Sequence, residues 1–245
     1  NLNVIDSFMV WGAASKQDTY TLIYQGIKMV LRVAGFYEME KEARDILKRS
    51  DYSGEDKKPK IDWNNEEEKQ KLLESLVNDA LSLVGHFEGK KELPDDLREA
   101  CHLLERIAKQ DVKIDKDGKV SMINGTAKDR VISVNDPEMR HGHKTSSRNS
   151  DGYKAEIITG GELASIIVAV EVDGANTEDG WYMGTLIDEA TNDGVDIKKI
   201  YGDSSYSDFE EIEKRKNEVE FCVKVRSSHN GAGGYTKEEF EIDLK

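Results

Sequence analysis

Hydrophobic residues follow two different periods along the chain. Residues 3–10 (NVIDSFMV) form a β-branched, apolar run that predicts a central strand, and Gly12 ends this run. Between residues 17 and 110 the apolar positions recur at helical spacing instead. Asp18 suits the N-cap of the first helix, and Gly35 suits its end. The pattern predicts one strand followed by an all-helical block, with helices over residues 18–35, 39–49, 65–86 and 95–109.

After Gln110 the pattern becomes typical of strands. Asp117-Gly118 lies between alternating residues and predicts a hairpin, while Lys113 and Lys119 do not fit a calcium-binding loop. Residues 135–150 are too polar to form core. The remaining predicted elements are strands at 130–134, 153–159, 166–173, 197–202 and 219–225, with helices at 178–192, capped by Thr177, and at 207–217.

The order of these elements predicts an α/β fold. Without the helical insertion the order is β–β–β–α–β–α–β, which gives a mixed five-stranded sheet with flanking helices and the ribonuclease-H-like order. The predicted core comprises residues 1–16 and 129–235, and residues 17–128 form the helical insertion that ends in the hairpin. Because the first and fourth strands are neighbours in such a sheet, we expect Asp6 and Asp203 to lie side by side.

Composition and charge restrict the possible functions. The net charge of −14 argues against a surface that binds nucleic acid everywhere, although bases are enriched between residues 128 and 154. No apolar run reaches the length of a membrane span. Cys101 and Cys222 are expected to be buried thiols, which suits a reducing cytoplasm. Since the chain opens on Asn1 and stops directly after a strand-like run, we expect a fragment of a longer protein.

Four stretches resemble one protein family. They are residues 5–20 around Asp6, residues 129–155, VDGANTEDG from Val172, and YGDSSYSD around Asp203. The second stretch is the most specific, because a pattern of DP-x-x-R-x-G-x-K followed by GYK matches from Asp136 to Lys154. The chain resembles transposases of bacterial insertion sequences, of the DDE (Asp-Asp-Glu) class with a ribonuclease-H-like catalytic core.

The resemblance implies a metal site and a reaction. Asp6 corresponds to the first catalytic aspartate and Asp203 to the second, and together they would hold Mg²⁺ (or Mn²⁺) for in-line displacement at phosphorus. Considered alone, Asp203 could equally cap the turn that follows it. The family's third carboxylate is a Glu on a helix beyond the fifth strand, after a β-rich insertion that residues 236–245 would begin. No residue of the chain matches this Glu, so we expect the fragment to be inactive alone.

The resemblance also implies DNA as partner, with self-association in the active complex and no membrane. The residues assigned to DNA lie in the basic segment: Arg140, His143, Lys144, Tyr153 and Lys154. Lys154 could instead be a solvent-facing residue on an edge strand. His141 and His143 are two residues apart. We interpret them as polar loop residues rather than as a pair of metal ligands. Trp11, Trp63 and Trp181 are expected to anchor packing.

Two other functions fit the same residues. A ribonuclease-H-like nuclease without strand transfer would use the same two aspartates. A non-catalytic adaptor would use the acidic helical block to bind protein partners, and its aspartates would be incidental. Recognition of specific DNA ends is expected to belong to an N-terminal domain that precedes this chain, because the chain starts abruptly at Asn1 and carries a net charge of −14.

Overall fold

The computed structural model describes residues 2–145 and 148–224, without the side chains of Lys144, Thr145 and Arg148. The chain divides into two compact units. We call Trp11–Gly152 the helical unit, and Asn1–Val10 with Tyr153–Lys245 the sheet unit. Each unit is described by itself.

Four helices form the helical unit, as the apolar stripes predicted: α1 (Thr19–Phe36), α2 (Glu40–Asp45), α3 (Glu66–Glu88) and α4 (Asp95–Gln110). Asp18 caps α1 by accepting a hydrogen bond from Thr21 N, which confirms its predicted role. Asn65 caps α3 through the amides of Glu67 and Glu68. The helix α2 ends four residues before the predicted Arg49. Leucine, isoleucine and valine side chains from α1, α3 and α4 form one continuous core.

The strands of the helical unit match the prediction only in part. The hairpin is confirmed as β2 (Val112–Ile114) paired antiparallel with β3 (Val120–Met122). The predicted strand at 130–134 is wrong, because that segment is buried but irregular. The polar segment 135–150, for which no strand was predicted, contains β4 (Arg140–Thr145). It pairs antiparallel with the first residues of β5 (Arg148–Gly160).

A mixed sheet forms the centre of the sheet unit. Its strands are β1 (Asn3–Trp11), the later part of β5, β6 (Ile166–Gly174), β7 (Lys199–Gly202) and β8 (Glu220–Val223), in the order β6-β5-β1-β7-β8. The pair β5–β6 is antiparallel, whereas β1–β7 and β7–β8 are parallel. The predicted α/β class and the five strands of the mixed sheet are confirmed, and β4 is an additional strand.

Helices α5 (Met183–Asn192) and α6 (Phe209–Arg215) complete the sheet unit. The predicted start of α5 at Glu178, capped by Thr177, is wrong by five residues. Its predicted end is confirmed, because Gly194 follows with a φ of 87°. Apolar residues of α5 pack with Ile5, Ile158 and Ile200 of the sheet to form the core of this unit.

Two further expectations concern cysteines and membranes. Both cysteines are free thiols, and Cys101 is buried as expected, whereas the expectation that Cys222 is buried is wrong because it is partly exposed. Burial raises the pKa of the Cys101 thiol to about 11. In the part of the chain that the structure describes, no helix is both long and apolar enough to cross a bilayer.

Candidate functional site

The register of two parallel strands brings the predicted aspartates together. Asn3 of β1 is paired with Ile200 of β7, and Val4 with Tyr201. Three residues beyond the first pair, the same register places Asp6 opposite Asp203, whose backbone continues the strand in an extended conformation. Adjacent strands are about 4.8 Å apart, so this register, continued two residues past Val4 and Tyr201, makes the backbones of residues 6 and 203 neighbours. The predicted adjacency of these strands is confirmed.

Close packing beside this pair depends on Gly202. A Cβ atom at residue 202 would lie 2.9 Å from Cγ2 of Ile5 and 3.2 Å from Cβ of Tyr206. The glycine therefore lets β7 lie close to β1 immediately before Asp203. The buried ring of Tyr206 packs against the same spot from the turn that follows. The strand register is thus supported by packing directly below the carboxylates.

One oxygen of each aspartate accepts a hydrogen bond from a backbone amide that follows it in the chain. Oδ1 of Asp6 accepts a hydrogen bond from Ser7 N at 2.8 Å. Oδ1 of Asp203 accepts one from Ser205 N at 2.7 Å, so the capping role considered for Asp203 is confirmed. Both side chains are exposed, and no described residue donates to either Oδ2. The arrangement leaves one oxygen of each carboxylate accessible to a ligand.

A second group of polar side chains occupies the other face of β1. Ser7 Oγ donates to Asp179 Oδ1 at 2.9 Å, and Lys154 Nζ lies 2.8 Å from the same oxygen. Lys154 also donates to the carbonyl of Thr177. Because Lys154 is buried in these contacts, the alternative of a solvent-facing edge residue is wrong.

Glu156 is buried in the same region, with 1% of its surface exposed. Within the described residues, neither oxygen of Glu156 accepts a hydrogen bond of good geometry. The backbone amides of Tyr182 and Gly180 lower the pKa of its carboxyl, but by less than burial raises it. Burial raises the pKa of Glu156, and the charge of Asp179 raises it further. Burial likewise raises the pKa of Tyr206, whose ring lies near Glu156.

The loop before α5 approaches the turn after Asp203. Gly180 has a φ of 85°, and a Cβ atom there would lie 2.9 Å from the carbonyl oxygen of Ser205. A cavity of about 240 Å³ lies between these segments and is lined by Asp179, Trp181 and Asp208 among others. Trp181 is 72% exposed. The expectation that Trp181 and the equally exposed Trp11 anchor packing is wrong, whereas Trp63 does pack, edge-on against Tyr20.

The residues assigned to DNA are distributed over both units. Tyr153 and Lys154 belong to the sheet unit, and Arg140, His143 and Lys144 to the helical unit. Arg140 donates to Asp129 Oδ1 at 2.6 Å and to the carbonyl of Pro137. Tyr153 is half-buried. The Lys144 side chain lies outside the described residues.

The two histidines lie on β4 and not in a loop. His141 Nδ1 contacts Asp151, and His143 Nδ1 lies 2.7 Å from Asn149 Oδ1. Burial alone would raise the pKa of Asp151, but hydrogen bonds from His141 and Lys16 lower it overall. Within the described ranges, no cluster of three or more His, Cys, Asp or Glu side chains is arranged to hold a metal ion.

Ser7, Glu156 and Asp179 were not singled out by sequence reasoning. Glu156 had a detectable signal, since it is an acid between the apolar residues Ala155 and Ile157 in the later part of β5. Asp179 lies in the VDGANTEDG stretch, but no spacing rule links it to Ser7. Comparisons of the chain with protein-family models, with curated proteins and with solved structures gave no match.

Proposed function

We propose that the chain is the catalytic core of a DNA transposase of the DDE class, with a ribonuclease-H-like fold. It would cleave and transfer DNA strands by metal-dependent displacement at phosphorus. The observation that carries this proposal is the register that puts Asp6 opposite Asp203 on neighbouring parallel strands. The strand order supports it as well, since an antiparallel trio continues into two parallel strands.

The two carboxylates fit a hard divalent cation. Mg²⁺ prefers oxygen ligands and keeps several of its waters, so it binds well to one or two carboxylates at an exposed edge. Two acids side by side repel each other, and a bound cation would remove that repulsion. The free Oδ2 atoms of Asp6 and Asp203 would be the ligands.

Bound ions would supply an activated water or 3′-hydroxyl and stabilise the leaving oxygen. The residues of the chain would bind and orient these ions. The hydrogen bonds from Ser7 N and Ser205 N fix the two carboxylates before any ligand arrives. Such preorganisation is what a site for phosphoryl transfer requires from the protein.

DNA binding by this chain alone is proposed to be weak and sensitive to salt. The net charge is −14, and the cations of Arg140 and Lys154 already contact Asp129 and Asp179. A phosphate would have to displace these acids. His143, Lys144 and Tyr153 remain predicted DNA contacts. Tight, sequence-specific binding at physiological salt would contradict this part of the proposal.

Thermal melting with Mn²⁺ or Mg²⁺ tests the metal site directly. The metal should raise the melting midpoint of the wild type and of the control Asp196→Asn, which changes an exposed aspartate of the same unit. It should not raise the midpoint of Asp6→Asn or Asp203→Asn. Without metal, each of these two variants should melt no lower than the wild type, because one of two repelling charges is gone.

The same experiment separates the alternatives. An identical metal response in all four proteins would support the non-catalytic adaptor. A response that depends on both aspartates fits a transposase and a nuclease equally. Joined strand-transfer products, made by the full-length protein on the ends of its own element, would then distinguish the transposase from the nuclease.

A further inference from the structure

The contacts of Lys154 are internal to the sheet unit. Its side chain is 10% exposed, lies 2.8 Å from Asp179 Oδ1 and donates to the carbonyl of Thr177. Asp173 is its partner across β5 and β6, and Glu156 follows two residues later on the same face of β5. The ammonium group therefore pairs with Asp179 inside the unit, close enough to Glu156 to lower the pKa of that acid, and it is not directed towards solvent.

Asp179 connects Lys154 to β1. The oxygen that lies next to the Lys154 ammonium also accepts the hydrogen bond from Ser7 Oγ at 2.9 Å. Hydrogen bonds to an ionised acceptor are stronger than those between neutral groups. Ser7 is thus tied to a segment more than 170 residues away in sequence.

Ser7 in turn is the residue next to Asp6. Successive side chains of a strand point to opposite faces. Fixing the Ser7 side chain on one face of β1 therefore fixes the direction in which the Asp6 side chain points on the opposite face. The amide of Ser7 also donates to Asp6 Oδ1. We infer that Lys154 and Asp179 are positioning residues that act through Ser7 to orient the Asp6 carboxylate. This inference rests on the proposed function of Asp6 as a metal ligand.

Substitutions at Ser7 test the inference with little risk to folding. Ser7→Ala removes the hydroxyl bond and should weaken Mn²⁺ binding, measured by calorimetry, about fivefold to tenfold, the factor that corresponds to one ordinary hydrogen bond. Ser7→Thr keeps a hydroxyl on a strand-compatible side chain and should restore most of the affinity. The matched control Ser53→Ala makes the same change at an exposed serine of the helical unit and should leave the affinity unchanged.

Substitutions at Lys154 separate positioning from DNA contact. If Lys154 positions Asp6, Lys154→Met should weaken Mn²⁺ binding in the absence of DNA, and Lys154→Arg should recover part of it. Unchanged Mn²⁺ affinity in Lys154→Met, with weaker binding to an oligonucleotide, would overturn the inference in favour of a DNA contact. Equal Mn²⁺ affinity in the wild type and Ser7→Ala, or equal losses in Ser7→Ala and Ser7→Thr, would overturn it as well.

A metal-free measurement tests the positioning of Asp6 even if the proposed function fails. Failure of that function would appear as no Mn²⁺ binding by the wild type, or as equal binding by Asp6→Asn. NMR of the 245-residue chain reports hydrogen exchange of the residue 7 amide and the ¹³C shift of the Asp6 carboxyl. Both should change in Ser7→Ala and in Lys154→Met. Wild-type values in both variants would show that the contacts do not position Asp6.

Discussion

The helical unit and the sheet unit bury acidic side chains in different ways. In the helical unit, Asp79 accepts hydrogen bonds from the Tyr52 hydroxyl and from two backbone amides. Asp111 is paired with Arg130 and Thr19. In the sheet unit, Glu156 is buried without a well-formed hydrogen bond among the described residues. Phe8 and Val172, on the strands beside it, are about half exposed.

This difference helps to indicate which unit contains the proposed functional site. Buried polar groups that are fully paired stabilise a fold at little cost, and the buried acids Asp79 and Asp111 of the helical unit follow this rule. Incompletely paired polar groups are costly and are usually retained at sites with a further role. In the sheet unit the buried carboxylate of Glu156 lies on β5, the neighbour of the strand that carries Asp6. We therefore regard the helical unit as the part in which buried acids contribute to stability, and the sheet unit as the part that holds the proposed site.

The largest expected effect comes from the core of the helical unit. Leu73 on α3 is fully buried, so Leu73→Ala should lower the free energy of unfolding by about 2–5 kcal/mol, measured by urea denaturation. Leu163→Ala, at an 82% exposed leucine, is the control and should change it by less than about 0.5 kcal/mol. Similar losses in the two variants would remove the basis for treating the helical unit as the stable one.

The buried acid of the helical unit should give the next largest effect. Tyr52→Phe removes the hydroxyl that lies 2.8 Å from Asp79 Oδ2 and should cost about 1.5–3 kcal/mol, because a buried carboxylate loses a donor. Tyr37→Phe removes a bond of the same length to Asp96 at the surface and should cost much less. If both variants lost the same stability, burial would not be what makes the Asp79 bond strong.

A smaller effect is expected at the start of α3. Asn65→Ala removes the side-chain oxygen that accepts from the amides of Glu67 and Glu68, and should cost about 1 kcal/mol in thermal or urea unfolding. Asn64→Ala changes the neighbouring asparagine and should have almost no effect. A larger loss in Asn64→Ala would show that the cap lies elsewhere.

The smallest expected effect concerns Glu156 of the sheet unit and is a change in how the free energy of unfolding depends on pH. The pKa of Glu156 is raised above its ordinary value near 4.5, so the native state holds this proton to higher pH than the unfolded chain does. Stability should therefore fall as the pH rises from the unfolded to the native pKa. Glu156→Gln should remove that part of the fall, whereas the exposed Glu162→Gln should keep it. Parallel pH profiles for the wild type and Glu156→Gln would contradict the unfavourable burial of this charge.

The sequence predicted the elements whose signals are local. The apolar stripe of α1, its Asp18 cap and the Asp117-Gly118 hairpin depend on neighbouring residues, and each was confirmed. The adjacency of β1 and β7 followed from the order of elements. The ribonuclease-H-like assignment, the metal and the reaction stay predictions.

The errors occurred where distant contacts decide the structure. At residues 130–134 the backbone bonds to the side chains of Gln110 and Gln17, so no strand ladder forms. Polar β4 exists because of its pairing with β5, which periodicity does not reveal. The residues before α5 cannot be helical, because Gly180 has a positive φ and packs against Ser205.

The separation of the two aspartates in sequence has a consequence for synthesis. Asp6 leaves the ribosome before β5 and β7, which pair with its strand and follow only after the core residues of the helical unit have been made. Since translation adds only about 5–20 residues per second, β1 remains for several seconds without the strands that pair with it. The two carboxylates can therefore come together only after the helical unit has been made.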